Sequence, residues 1–428
     1  MATNKLFKQL QKFDPELCEV LKFSLDRQLS TLSLIPTDSA ASPLSQYLKG
    51  GALGNDFIGH NALEHYSRIE QLAVKRACKL FNAEHAILRL GNPVAASRVV
   101  LLALAQTGDT ILSFNLRKKE HCTGEQMKYN FIKFAIDPHD MRLNYENVKY
   151  LALKNRPKLI IFSPTNYPHN IDYLKMQKMA EESGAILWVD LGQNAGLVAA
   201  GKIPSPVPYA DILTFAGSDG LHGPQSGIIL CRKKFADLLE KAVIETGHAS
   251  LKKNVMAALA ITFNEVSCPE FKEYAQAVMD NARALENGLN SAGIETYWKK
   301  TENHLVLPKM PENVDNKSVA AKLEQAGLLV KAETLMTSDE NISYPILRLS
   351  SLDPTTRALN EKDLFRVGAT LGEFLKSPQD SRAIKKVEQV VKEIIEGLPL
   401  FSEDWLPAEE IIRERDAELI MKSMIYGM

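Results

Sequence analysis

The chain has few cysteines, no long apolar run and almost no net charge, and each shortage removes a class of function. Its five cysteines (Cys18, Cys78, Cys122, Cys231 and Cys268) are widely separated and form no CxxC pair. That spacing excludes a disulfide framework and a thiolate metal site. No stretch of about 18 apolar residues is available to span a bilayer. The opening MATNKLFKQLQKFDPE is charged and has no apolar core, so a secretory signal is not expected and a cytoplasmic location is. Lys and Arg number 51 against 52 Asp and Glu, a formal charge of −1. Neither nucleic acid nor a membrane surface is an expected partner at that balance. Internal repeats, low-complexity segments and the metal spacings HxH and HExxH are also missing.

What is present is strand–helix alternation. A chain of 428 residues exceeds one compact core and implies two or three domains. The first sixty residues read as a helix (FDPELCEVLKFSLDRQLSTL) and then an irregular stretch. From Glu64 the pattern changes: RIEQLAVKRACKLF is helix-periodic, and HAILRL, TILSF, LIIFSP, AILWVD, ADILTFA and GIILCRK are short apolar runs. Buried short strands alternating with helices predict a largely parallel sheet with helices on both faces. From about residue 285, segments such as HLVLPKM, KLEQAGLLVK and YPILRLSS predict a smaller α+β unit. AIKKVEQVVKEIIEGL and the tail AEEIIRERDAELIMKSMIYGM read as amphipathic helices. Such a sheet binds ligands beyond the carboxyl ends of its strands. The residues to inspect are therefore Gly91–Val94, Asn115–Gly124, Ser163–His169, Asp190–Gln193 and Gly217–His222.

The stretch VDLGQNAGLVAAGKIPSPVPYADILTFAGSDGLHGPQSGIIL resembles the serine hydroxymethyltransferases. LIPTDSAASP, IEQLAVKRACKLF, LAQTGDTIL, RPKLIIFSPTNYP, ENHLVL and LRLSSLDPTTR resemble that family in the same order, from about residue 5 to 400. The resemblance implies the fold-type I architecture of pyridoxal-phosphate (PLP) transferases, an α/β fold with a mainly parallel seven-stranded sheet in a large domain and a smaller C-terminal α+β domain. The expected division is an N-terminal arm and helix over 1–62, a large domain over 63–284, a small domain over 285–400 and a helical extension over 401–428.

In the family a lysine forms a Schiff base with the cofactor aldehyde and an aspartate pairs with the pyridinium nitrogen. The resemblance places Asp190 at that aspartate and Asp219 at the lysine, with Ser218 and Gly220 replacing the flanking histidine and threonine. Asp219 has no amine, and its charge opposes a phosphorylated aldehyde. The family's Ser-Gly-Ser phosphate turn reads Asn92-Pro93-Val94, losing hydroxyls and an N–H. The Gly-Gly given by a partner subunit reads Thr246-Gly247, the tyrosine-rich loop reads ALGNDFIGHN, and the histidine after the pyridinium aspartate is Gln193. His121 matches the histidine that stacks on the ring, Arg348 the arginine that grips the substrate carboxylate, with Arg357 at the family spacing behind it, and Thr37 a serine that assists that carboxylate. His60, His65, His121, His169, His222 and His248 all map near the pocket.

Several readings follow. In one, a diverged enzyme acts on a small amino-acid-like carboxylate without covalently bound PLP, with PLP or pyridoxamine phosphate (PMP) held non-covalently and Asp219 or His222 as base. In another, a catalytically silent paralogue acts as scaffold or regulator. In a third, pocket histidines with Asp190 and Asp219 hold a Zn, Fe or Mn ion. Residual serine–glycine interconversion with tetrahydrofolate is the fourth, opposed by the missing amine. Because the family's site is shared between subunits, the resemblance implies a homodimer or a hetero-oligomer with an active paralogue.

Overall fold

The computed structural model of the chain describes residues 2–54, 62–114, 129–248, 252–339 and 341–407, without the side chains of 2–7, 52 and 62–67. The expectations for His60, His65, His121, the ALGNDFIGHN loop beyond Gly54 and the tail from residue 408 lie outside that description.

In chain order the strands are β1 (Leu32–Ser33), β2 (His85–Leu90), β3 (Thr110–Phe114), β4 (Asn130–Phe134), β5 (Leu159–Phe162), β6 (Ile186–Asp190), β7 (Ile212–Ala216), β8 (Gly227–Cys231), β9 (Leu305–Val306), β10 (Leu328–Leu329), β11 (Lys331–Met336) and β12 (Ser343–Ser350). Seven of them form one sheet in the order β2-β8-β7-β6-β5-β3-β4. Only β8 runs against the rest: it pairs antiparallel with both β2 and β7, and the remaining pairs are parallel. Six of the seven strands are the apolar runs read from the sequence. Every residue of β5, β7 and β8 is buried, as a sheet covered on both faces requires. β4 was not among those runs. It is the edge strand NFIKF, with only Phe134 buried, so it carries no continuous apolar signal.

Apolar clusters lie on both faces of this sheet, one around Phe162, Phe215 and Phe263 and the other around Val99, Trp188 and Leu239. A third cluster joins Leu32 and Leu34 to residues between Ala282 and Ile395 and holds the sheet β11-β12-β9 and the pair β1-β10 together. The helix Pro269–Ser291 serves two clusters, giving Phe271 and Tyr274 to the first and Leu285 and Leu289 to the third. The boundary expected at residue 284 falls inside this helix. Among the described residues no helix is long and apolar enough to cross a membrane.

Candidate functional site

Asp190 is the last residue of β6 and is buried at the carboxyl end of the sheet. Neighbouring strands supply its partners. Ser163, after β5, donates to Oδ2 at 3.0 Å, and Thr214 of β7 donates to Oδ1 at 3.3 Å. The Gly192 amide adds a bond to Oδ1 at 3.3 Å. A carboxylate so placed is oriented before any ligand arrives.

The loop 217–226 between β7 and β8 carries Asp219 and contains no lysine. Ser218 Oγ donates to Asp219 Oδ1 at 2.8 Å. Burial raises the Asp219 carboxyl above its ordinary range; hydrogen bonds with Ser218 and Gln193 pull it back, and the charges of Asp190 and Asp38 push it further up. The loop can approach so closely because of two glycines. Gly220 has φ +71°, and a Cβ there would sit 2.9 Å from the Gln193 carbonyl oxygen. A Cβ on Gly196 would sit 2.0 Å from the Gly220 oxygen. Threonine, the family residue at Gly220, is disfavoured in this backbone region.

Gln193 links Asp219 to Arg348. Arg348 Nη2 donates to Gln193 Oε1 at 3.3 Å and to the Thr165 carbonyl at 2.8 Å. Its Nη1 pairs with Glu333 Oε1 at 3.4 Å. The guanidinium expected to grip a ligand carboxylate therefore holds a carboxylate of its own chain, and Arg348 is 0% exposed.

The remaining expectations fare differently. His222 does not join this group. Its ring packs edge-on against Phe271, Tyr274 and Phe401, and Nε2 meets Thr356 Oγ1 at 3.1 Å. Burial drops its pKa to about 3, so it is neutral at pH 7 and too weak a base for the role expected of it. Thr37 is exposed; its neighbour Asp38, held by Ser33 Oγ at 2.7 Å, is the group whose charge reaches Asp219. His169 is buried beside Glu302, with Nδ1 3.3 Å from Oε2. His121 lies outside the described residues. Among the described residues no group of three or more His, Cys, Asp or Glu side chains is arranged to hold a metal ion. Two members of the site, Glu333 and Asp38, were missed in the sequence. Asp38 stands beside a singled-out threonine, but Glu333 had no local signal.

The helix Pro93–Leu104 begins at the turn that the resemblance aligns with the family's phosphate turn, where a lost grip is expected. Asn92 caps it, with Oδ1 accepting the Ala95 amide at 2.8 Å. A Cβ at Gly227 would lie 2.2 Å from the Asn92 carbonyl oxygen, so this glycine lets β8 close on the turn. A cavity of about 760 Å³ opens here, lined by Asn92, Val94, Arg98, Gln225, Thr246 and His248. Thr246 caps the end of the preceding helix through bonds to Ala242 and Val243 oxygens at 2.9 and 3.0 Å, and Gly247 follows at φ +79°.

The mostly parallel seven-stranded sheet flanked by helices, with Asp190 at a strand end, is the architecture of the fold-type I pyridoxal-phosphate transferases. A family model described as serine hydroxymethyltransferase matches residues 10–371. The chain is also 33% identical over 415 residues to a serine hydroxymethyltransferase of Prochlorococcus marinus, covering 92% of this chain and 98% of that relative. The chain belongs to the serine hydroxymethyltransferase family.

Proposed function

We propose that this chain is a member of its family that forms no internal aldimine with PLP and serves as a catalytically silent paralogue. The observation that carries the reading is Asp219. A half-buried carboxyl beside Asp190, in a loop without lysine, stands where the resemblance puts the Schiff-base amine. The donors at the phosphate end agree. Pro93 offers no N–H, Val94 no hydroxyl, and Asn92 already takes the Ala95 amide. These residues do not fit a PLP bound through both its aldehyde and its phosphate, so no catalytic step is assigned through it. The chain's role is then a scaffold or regulator, as a homodimer or beside an active family member.

The test is direct. Purified protein given PLP, tetrahydrofolate and serine should form no glycine above a no-protein control. Co-purification with an active hydroxymethyltransferase from the same host would place the chain in a shared oligomer. Glycine formation at rates typical of enzymes, about 1 per second or more, would end the reading.

A second reading has one observation in its favour. Asp219 is raised chiefly by burial, the condition that suits a carboxyl to act as acid or base. A diverged enzyme would use that carboxyl on a small ligand, with PLP or PMP bound non-covalently if at all. Ligand-dependent chemistry lost in Asp219→Asn would support it.

A further inference from the structure

We propose that Glu333 is an in-built carboxylate that occupies the Arg348 fork and excludes amino-acid carboxylates from this pocket. The inference rests on the family reading of Arg348 and deepens the proposed function at the same site.

The strand register builds the contact. β11 and β12 are antiparallel, with Lys331 opposite Arg348. Glu333 lies two residues further along β11, so it points to the same face and is the diagonal neighbour of Arg348. Asn316 fixes that register: its Nδ2 donates to the Glu333 carbonyl at 2.7 Å and to the Ile346 carbonyl at 2.9 Å. The side chain is also held from the large sheet, because Asn166, after β5, donates to Glu333 Oε2 at 3.1 Å. One carboxylate oxygen thus faces the arginine while the other is anchored across the cleft.

The arginine is committed in the same way. A ligand carboxylate is best held by two parallel N–H groups of the fork. Here Nη1 is given to Glu333, and Nη2 is shared between the Thr165 carbonyl and Gln193. With Arg348 at 0% exposure, a ligand carboxylate must displace what covers it, and among the described residues those acceptors are Glu333, Thr165 and Gln193. An amino-acid carboxylate arriving there would meet Glu333 directly. Lys331 Nζ stands 3.9 Å from Glu333 Oε1, but its side chain is half exposed and offsets little of this.

Isothermal titration of glycine and serine into the full-length protein, and into Glu333→Gln and Glu333→Ala, tests the proposal. The wild type should give no saturable heat, and each folded variant should bind at least tenfold more tightly than the limit set for it. Saturable binding of glycine by the wild type overturns the proposal, and so does failure of both folded variants to gain binding. Should neither variant fold, the wild-type titration still decides, because the proposal requires it to be blank. A cofactor spectrum on the same samples separates the two claims. A PLP adduct without glycine binding would sink the functional reading and leave the role of Glu333 standing.

Discussion

Asn92 Oδ1 accepts the Ala95 amide at 2.8 Å, so the helix N-terminus at the turn that the resemblance aligns with the family's phosphate turn is capped from within the chain. A cap of this kind is worth about 1 kcal/mol to the helix. It also takes an amide that an anion would need.

Restoring the lysine alone should therefore not restore the cofactor. Asp219→Lys is expected to show no aldimine absorbance after addition of PLP. The band should emerge only when Asn92-Pro93-Val94 is also changed to Ser-Gly-Ser. A full aldimine spectrum from the single variant would show that the phosphate end is intact after all.

The loop that carries Asp219 depends on two glycines. Gly220→Thr forces a β-branched residue to φ +71° and should cost roughly 1–3 kcal/mol. Gly196→Ala drives a methyl group to within 2.0 Å of the Gly220 oxygen and should cost at least as much. Urea midpoints of both variants check this. A wild-type midpoint for Gly196→Ala would mean that the helix Ala195–Ala199 and the loop do not touch as described.

Glu265 gives the fold a pH dependence. It is buried in the helix Lys253–Val266, accepts the Ser42 hydroxyl at 2.7 Å, and burial raises its pKa from 4.5 to about 7. The folded state holds this proton more tightly than the unfolded state. The resulting stability is full below pH 4.5 and is lost as pH rises through 7. Asp353, also raised to about 7, acts in the same direction, so only the difference between variant and wild type isolates Glu265. Glu265→Gln should gain on the order of 1–3 kcal/mol relative to wild type on going from pH 5 to pH 8. Thermal midpoints at the two pH values decide it. An equal effect of the substitution at both would contradict the assignment.

Much of the fold was legible in the sequence because β5, β6, β7 and β8 are short apolar runs that could only be interior strands. β4 escaped notice because an edge strand needs only part of that pattern. Strand ends and motif order singled out Asp190 and Asp219, which stand at the end of β6 and in the loop before β8. The orientation of His222 was not legible for a physical reason: loop membership fixes a backbone position, not the direction of a ring, and this ring turns into an aromatic cluster from a backbone at φ +60°. Glu333 was invisible because its partner stands fifteen positions along the chain on another strand, and only the β11–β12 register brings them together.

The central claim is that this chain holds no PLP through a lysine. Incubation with the cofactor, reduction with borohydride and mass mapping of the peptides measure it most directly. The account predicts no stoichiometric pyridoxyl adduct on any lysine. One lysine carrying the adduct at a full equivalent per chain would contradict it.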